Sequence, residues 1–146
     1  MNKQIVKVKL LHPLAVMPEY KTSGASGFDL HACQAATIHP GEHEIIRLGI
    51  AFEIPEGYEI QIRPRSGMSF NTSLIAKNTI GTIDSDYRGE VSYCLLNTGD
   101  LPCFIDAGER VCQAVLCQAP KAFLMLVDEL SDTDRGSGGF GSTGKK

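Results

Sequence analysis

The hydrophobic residues of this chain come in short runs of period two, broken by glycine, proline, asparagine or aspartate, and almost nowhere at the 3.6-residue spacing of a helix. The runs span residues 4–10, 27–32, 44–52, 58–63, 74–76, 79–83, 91–96, 110–117 and 122–127. Each reads as a strand that buries one face. Pro55 and Gly57 supply a turn between the runs EIIRLGIAF (44–52) and YEIQIR (58–63). One short helix is expected at residues 66–71, SGMSFN, with Ser66 as its cap. Many short strands with turns every 8–12 residues or so call for an all-β sandwich or barrel. A length of 146 residues suits a single domain with one core.

Several function classes drop out on composition. No apolar run approaches the ~20 residues of a membrane helix. The opening segment alternates charge with apolar side chains, as a strand does and a signal peptide does not. A cytoplasmic protein is therefore expected, and the NTS sequon at residues 71–73 carries no weight. Five cysteines without a CxxC pair read as reduced, buried thiols. His39 and His43 have the i, i+4 spacing of a zinc helix, but Pro40 and Gly41 between them forbid that helix. A net charge of −3 with no Lys/Arg stripe argues against a nucleic-acid-coating protein and leaves room for a small anionic ligand.

Residues 81–91, GTIDSDYRGEV, hold the first candidate chemistry. A strand runs into a turn rich in Asp, Ser and Gly and returns, so a β-hairpin is expected with Asp84 at the strand end. A carboxylate held there can position and deprotonate a water. Asp84 and Asp86 are equally compatible with plain turn formation. Tyr87 offers a flat wall to a sugar or base. Residues 63–67, RPRSG, form a second, independent candidate. Pro64 ends a strand, and Arg65, the Ser66 hydroxyl and the N–H groups at Ser66 and Gly67 suit a phosphate.

The tail behaves differently. An acidic stretch leads into RGSGGFGSTGKK at 135–146, whose composition cannot offset its own ordering entropy. Its arginine and phenylalanine, set among glycines, suit a lid that folds onto a ligand. Residues 139–145 match the string GxxxxGK. A P-loop also needs a hydroxyl after the lysine and a following helix, and Lys146 supplies neither.

Together the motifs SGFDL (26–30), RPRSG (63–67), GTIDSDYRG (81–89), GERVCQ (108–113) and RGSGGFGSTG (135–144) resemble the trimeric dUTPases, the dUTP diphosphatases, over most of the chain. The resemblance implies a jelly-roll-like β-sandwich at residues 1–128, a lid at 129–146, and a homotrimer with active sites between subunits. It implies that Asp84 is the general base and that Asn78 reads uracil, with backbone groups of Gly81, Thr82 and Ile83 and of the return strand near Ser92. Tyr87 would stack on the deoxyribose and exclude a 2′-hydroxyl. Arg65, Ser66, Gly67 and Gln113 would meet phosphates from a neighbouring subunit. Arg135 would bind the γ-phosphate together with Gly141, Ser142 and Thr143, and Phe140 would close over uracil. Mg²⁺ would ride on the substrate phosphates, steadied by Asp29 through a water. Arg110 is read as a structural ion-pair residue, and Cys112 as inert.

Phe28, Met68, Ser69 and Cys112 depart from the commonest family pattern at volume-tolerant positions. A dCTP deaminase, similar in fold, would need a proton-shuttling Glu at the base that no motif here supplies. A non-catalytic nucleotide sensor would not need Asp84, Arg135 and Phe140 together.

Overall fold

In a computed structural model, residues 3–142 and 144 are described. The strands are β1 (Lys7–Leu10), β2 (Phe28–His31), β3 (Ala36–Ile38), β4 (His43–Arg47), β5 (Ile50–Glu53), β6 (Tyr58–Arg63), β7 (Leu74–Ala76), β8 (Gly81–Ile83), β9 (Ser92–Asn97), β10 (Cys103–Ile105) and β11 (Arg110–Gln118). One helix, α1 (Ser66–Asn71), interrupts them. A four-stranded sheet runs β2-β11-β6-β8 and a three-stranded one β4-β9-β7, with the pairs β1-β5 and β3-β10 beside them. All of these ladders are antiparallel.

The alternation read in the sequence is the alternation that builds the core. In β6, Ile60 and Ile62 are fully buried while Gln61 and Arg63 are partly exposed. In β9, Tyr93, Leu95 and Asn97 point inward. Tyr93 and Leu95 join Leu30, Ile46, Leu74 and Phe52 in one continuous cluster. Each such aliphatic side chain contributes on the order of 1.5–3 kcal/mol by leaving water. Asn97 is the polar exception. Its amide donates to the carbonyls of Ile38 (2.9 Å) and Leu101 (2.7 Å), and its oxygen accepts from Ser73 Oγ (2.7 Å) and Gly99 N (2.9 Å). Every bonding position of that amide is thus filled.

The structure corrects several expectations. The run 44–52 is not one strand. It breaks at Gly49, whose φ of +66° turns the chain, so that β4 joins the β9 sheet while β5 pairs with β1. A Cβ on Gly49 would lie only 2.9–3.0 Å from the Cβ atoms of His12, Ala15 and Cys33, so glycine alone fits this corner. The run 122–127 forms no strand, and Phe123, Leu124 and Leu126 stand in solvent. Strands β3 and β10, three residues each, fall outside the runs read in the sequence. Helix α1 falls where expected. Arg65 occupies its cap position with no side-chain capping bond, so Ser66 is a helical residue and not the cap.

The expected hairpin is also revised. β8 pairs with β6, and β9 pairs with β4 and β7; β8 and β9 do not pair with each other. Residues 84–91 are therefore a connection from one sheet to another, which makes the anchoring of that loop a question in its own right.

Candidate active site

Two clusters of site residues hang from β6. The first begins where β6 ends. Pro64 cannot extend the ladder, and Arg65 follows in an extended conformation before α1. Arg65 Nε donates to Asp29 Oδ1 at 2.9 Å, and Arg65 NH1 donates to the Arg110 carbonyl at 3.1 Å. Arg110 NH1 donates to the other Asp29 oxygen at 3.0 Å. The Asp29 side chain retains only 14% of its exposure. This is the ion pair read for Arg110, and both carboxylate oxygens of Asp29 are occupied by arginines. The arrangement depends on a bulge in β11, where Val111 is inserted between Arg110, opposite His31, and Cys112, opposite Leu30. Gln113 sits opposite Asp29 and donates from Nε2 to the Pro64 carbonyl at 2.9 Å. Gly27 packs close beside it, since a Cβ there would lie 2.9 Å from Gln113 Oε1 and 3.1 Å from the Ala114 carbonyl.

His31, two residues along β2, has a buried Nδ1 without a partner. Burial pushes its pKa below the ordinary imidazole value, against the opposing pull of Asp29. Cys112 is fully buried, and that burial raises its thiol pKa far above the reactive range.

The second cluster surrounds β8. Gly81 and Ile83 pair with Ile62 and Ile60, with Thr82 opposite Gln61. Thr79, between Asn78 and β8, has φ +55°, a costly conformation for a β-branched residue. A Cβ on Gly81 would meet Ile62 at 3.4 Å and Asn78 Nδ2 at 3.7 Å, which places the Asn78 amide close over the strand. Asp84 follows directly and is exposed. It faces an open cavity of about 670 Å³ that also carries Arg88 and Lys121. Tyr87 N donates to the Asp84 carbonyl at 3.2 Å, and the Tyr87 hydroxyl donates to the Glu90 carbonyl at 3.1 Å. Ser92 opens β9 opposite Arg47.

One chain does not bring the two clusters together. Ile83 lies opposite Ile60, five residues before Arg65. At ~3.3 Å per residue that is roughly 16 Å along the strand, and Asp84 lies further still. A carboxylate here and an arginine there cannot touch one phosphate unless a second copy supplies one of them.

The tail residues also stand apart. Arg135 Nε donates to the Gly138 carbonyl at 2.8 Å, Ser142 N donates to the Gly139 carbonyl at 3.0 Å, and Phe140 is fully exposed with φ +49°. Gly141 has φ +87°. Thr143 lies outside the described residues. Among the described residues, no group of three or more His, Cys, Asp or Glu could hold a metal.

Sequence reasoning missed the partners that hold the Asp84 loop. Glu90 binds Arg47 and the Gly49 N–H. Glu90 lay inside a motif already singled out, but nothing local marks a partner 43 residues away.

Comparison with known proteins converges on one family. A family model described as dUTPase matches residues 14–144. The deoxyuridine 5'-triphosphate nucleotidohydrolase of Nautilia profundicola is 51% identical over 140 residues, covering 96% of this chain and 99% of the relative. The protein of the same name from Bdellovibrio bacteriovorus is 49% identical over 148 residues, covering 99% of each. Among solved structures, a Staphylococcus bacteriophage 80alpha dUTPase with dUpNHpp superposes with a TM-score of 0.92 at 28% identity, over 97% of this chain and 99% of that one. A dUTPase mutant from phage phi11 of S. aureus, described with a structural Mg(II) ion, has a TM-score of 0.80 at 26% identity, over 86% of this chain and 97% of that one.

Proposed function

The chain belongs to the dUTPase family, and we propose that it hydrolyses dUTP to dUMP by in-line attack of an Asp84-activated water on the α-phosphate. Asp84 takes the proton from the water, the oxygen bonds to the α-phosphorus, and the bond to the β-phosphate bridging oxygen breaks to release pyrophosphate. The observation that carries this reading is the placement of Asp84: an exposed carboxylate at the end of a strand, on the rim of an open cavity. Asn78 and the backbone of Gly81–Ile83 and Ser92 pair with the uracil edge. Thymine is refused by its methyl group, and cytosine by its reversed donor pattern. Tyr87 lies against the deoxyribose and leaves no room for a 2′-hydroxyl.

The phosphate contacts come from Arg65, Ser66, Gly67 and Gln113 of a neighbouring copy. The roughly 16 Å that separates Ile83, next to Asp84, from Arg65 along β6 supports a site shared between subunits of a homotrimer. Residues 129–146 act as the lid, bringing Arg135 and the Gly141–Thr143 segment to the γ-phosphate and Phe140 over the base. Magnesium held by the triphosphate would neutralise phosphate charge in the attack. Asp29, committed to two arginines, meets such an ion at most through a water. In a cytoplasmic setting the reaction keeps uracil out of DNA and supplies dUMP for dTMP synthesis.

The test is one pyrophosphate-release assay over dUTP, dTTP, dCTP and UTP with Mg²⁺, on wild type and Asp84→Asn. Only dUTP should turn over, and Asp84→Asn should bind dUTP while losing on the order of 10²–10⁴ in kcat. Ammonia from dCTP, or normal hydrolysis by the variant, would overturn the assignment.

A further inference from the structure

The loop 84–91 carries Asp84 and Tyr87 between two sheets without strand pairing of its own. Its position must be set by other means, and one residue gathers most of them. The Glu90 carboxylate accepts from Arg47 Nε at 3.1 and 3.2 Å and from Arg47 NH2 at 2.8 Å, the two-pronged geometry of a strong charge-assisted pair. One of its oxygens also accepts from the Gly49 N–H at 3.0 Å. That N–H belongs to the left-handed corner between β4 and β5, which is closed on its other side by the Leu11 N–H donating to the Gly49 carbonyl at 2.7 Å. Next along the chain, Val91 N donates to the Ile50 carbonyl at 2.8 Å and Leu48 N to the Val91 carbonyl at 3.3 Å. The Arg47 guanidinium holds the Glu90 carboxyl below the usual carboxylate range, so the pair is charged at neutral pH.

The opposite side of Glu90 faces the site. Its carbonyl is the acceptor for the Tyr87 hydroxyl, and Tyr87 N in turn donates to the Asp84 carbonyl. Between them, Gly89 makes room for the ring, since a Cβ there would overlap both the Tyr87 ring and its hydroxyl. Tyr87 is otherwise 44% exposed, so few packing contacts hold it.

We propose that Glu90 and Arg47 are positioning residues for the Tyr87 sugar gate, acting through the Glu90 backbone on a ring that touches Glu90 and Gly89. The pair sets how closely the ring approaches the sugar, and so how strongly dUTP is preferred over UTP. This rests on the reading of Tyr87 given above.

The test measures kcat/KM for dUTP and UTP with Mg²⁺ on wild type, Tyr87→Ala, Glu90→Gln and Arg47→Lys. The ratio of the two values does not depend on how much of a variant is folded, so partial misfolding cannot mimic the effect. Arg47→Lys keeps the charge and loses the fork. Tyr87→Ala should collapse the ratio. Glu90→Gln and Arg47→Lys should each lower it by on the order of tenfold, within the roughly 10²-fold that a 1 Å misplacement can cost. If Tyr87→Ala leaves the ratio at its wild-type value, the gate itself is wrongly assigned. If Tyr87→Ala relaxes it while both brace variants lose only melting temperature, the pair is merely structural and the proposal falls.

Discussion

Replacing Asp29 with Asn removes one charge and little volume, and the consequence can be worked from the distances. The carboxylate holds Arg65 at 2.9 Å and Arg110 at 3.0 Å, with side-chain exposures of 14% for Asp29, 23% for Arg65 and 45% for Arg110. An unlike pair at such range interacts by about 4 kcal/mol at an effective dielectric of 20. Breaking a buried pair from one side costs about 3–5 kcal/mol, because the remaining charge is stranded. The Arg110 arm is largely solvated and counts for about 1 kcal/mol at most. Asparagine can still accept from Arg65 Nε, but its NH₂ then faces Arg110 NH1, donor against donor. The net expectation is a loss of about 2–4 kcal/mol. With a urea slope of about 2 kcal/mol/M, the midpoint should fall by roughly 1–2 M. The assay is urea unfolding of the nucleotide-free, magnesium-free protein, which isolates the ion pairs from any role toward the substrate. Arg110→Met in the same assay should cost under about 1 kcal/mol. An Asp29→Asn loss of less than the ~0.5 kcal/mol of an ordinary surface change would refute the argument, and would return Asp29 to a role toward the cation alone.

Gly49→Ala should destabilise by about 2–5 kcal/mol in urea, adding left-handed backbone strain to a Cβ placed 2.9–3.0 Å from three other Cβ atoms; a change under ~0.5 kcal/mol would mean the corner adapts. Ending the chain before Arg135 should leave the unfolding midpoint unchanged and abolish most dUTP turnover, and an unaltered kcat/KM would exclude a lid. His31 carries the pH prediction. Its folded pKa is depressed, so below the unfolded value of about 6.5 the unfolded chain binds more protons. Stability should therefore fall as pH drops from about 6.5 toward the folded pKa. His31→Gln should flatten that slope, and an unchanged slope would show that another group is responsible.

What the sequence made legible follows physical range. Strict alternation in YEIQIR located β6 to the residue, and Pro64 marked its end. The apolar run 44–52 misled because Gly49 interrupts it without changing its hydrophobicity; only the crowding around that glycine reveals a corner. The run 122–127 has the composition of a strand but finds no partner among the described residues. Around Asp84, the course of the loop was partly legible, and what holds it was not. Asp29 meets its arginines across 36 and 81 positions, and Glu90 meets Arg47 across 43. Turn chemistry placed a bend at residues 84–91, but the hairpin expected there does not form. Which strand β8 would pair with depended on the packed whole.

That bend has a consequence for anyone seeking a hardier enzyme. The loop is tethered to one sheet at Ile83 and to another at Ser92, so the separation of the two sheets sets the span of the loop that carries the proposed base, Asp84. Substitutions at Ile60 or Leu95 that fill the interior more tightly would alter the distance the loop must span. Thermostabilising designs here would do better to draw on the outer surface and leave the interior volume alone.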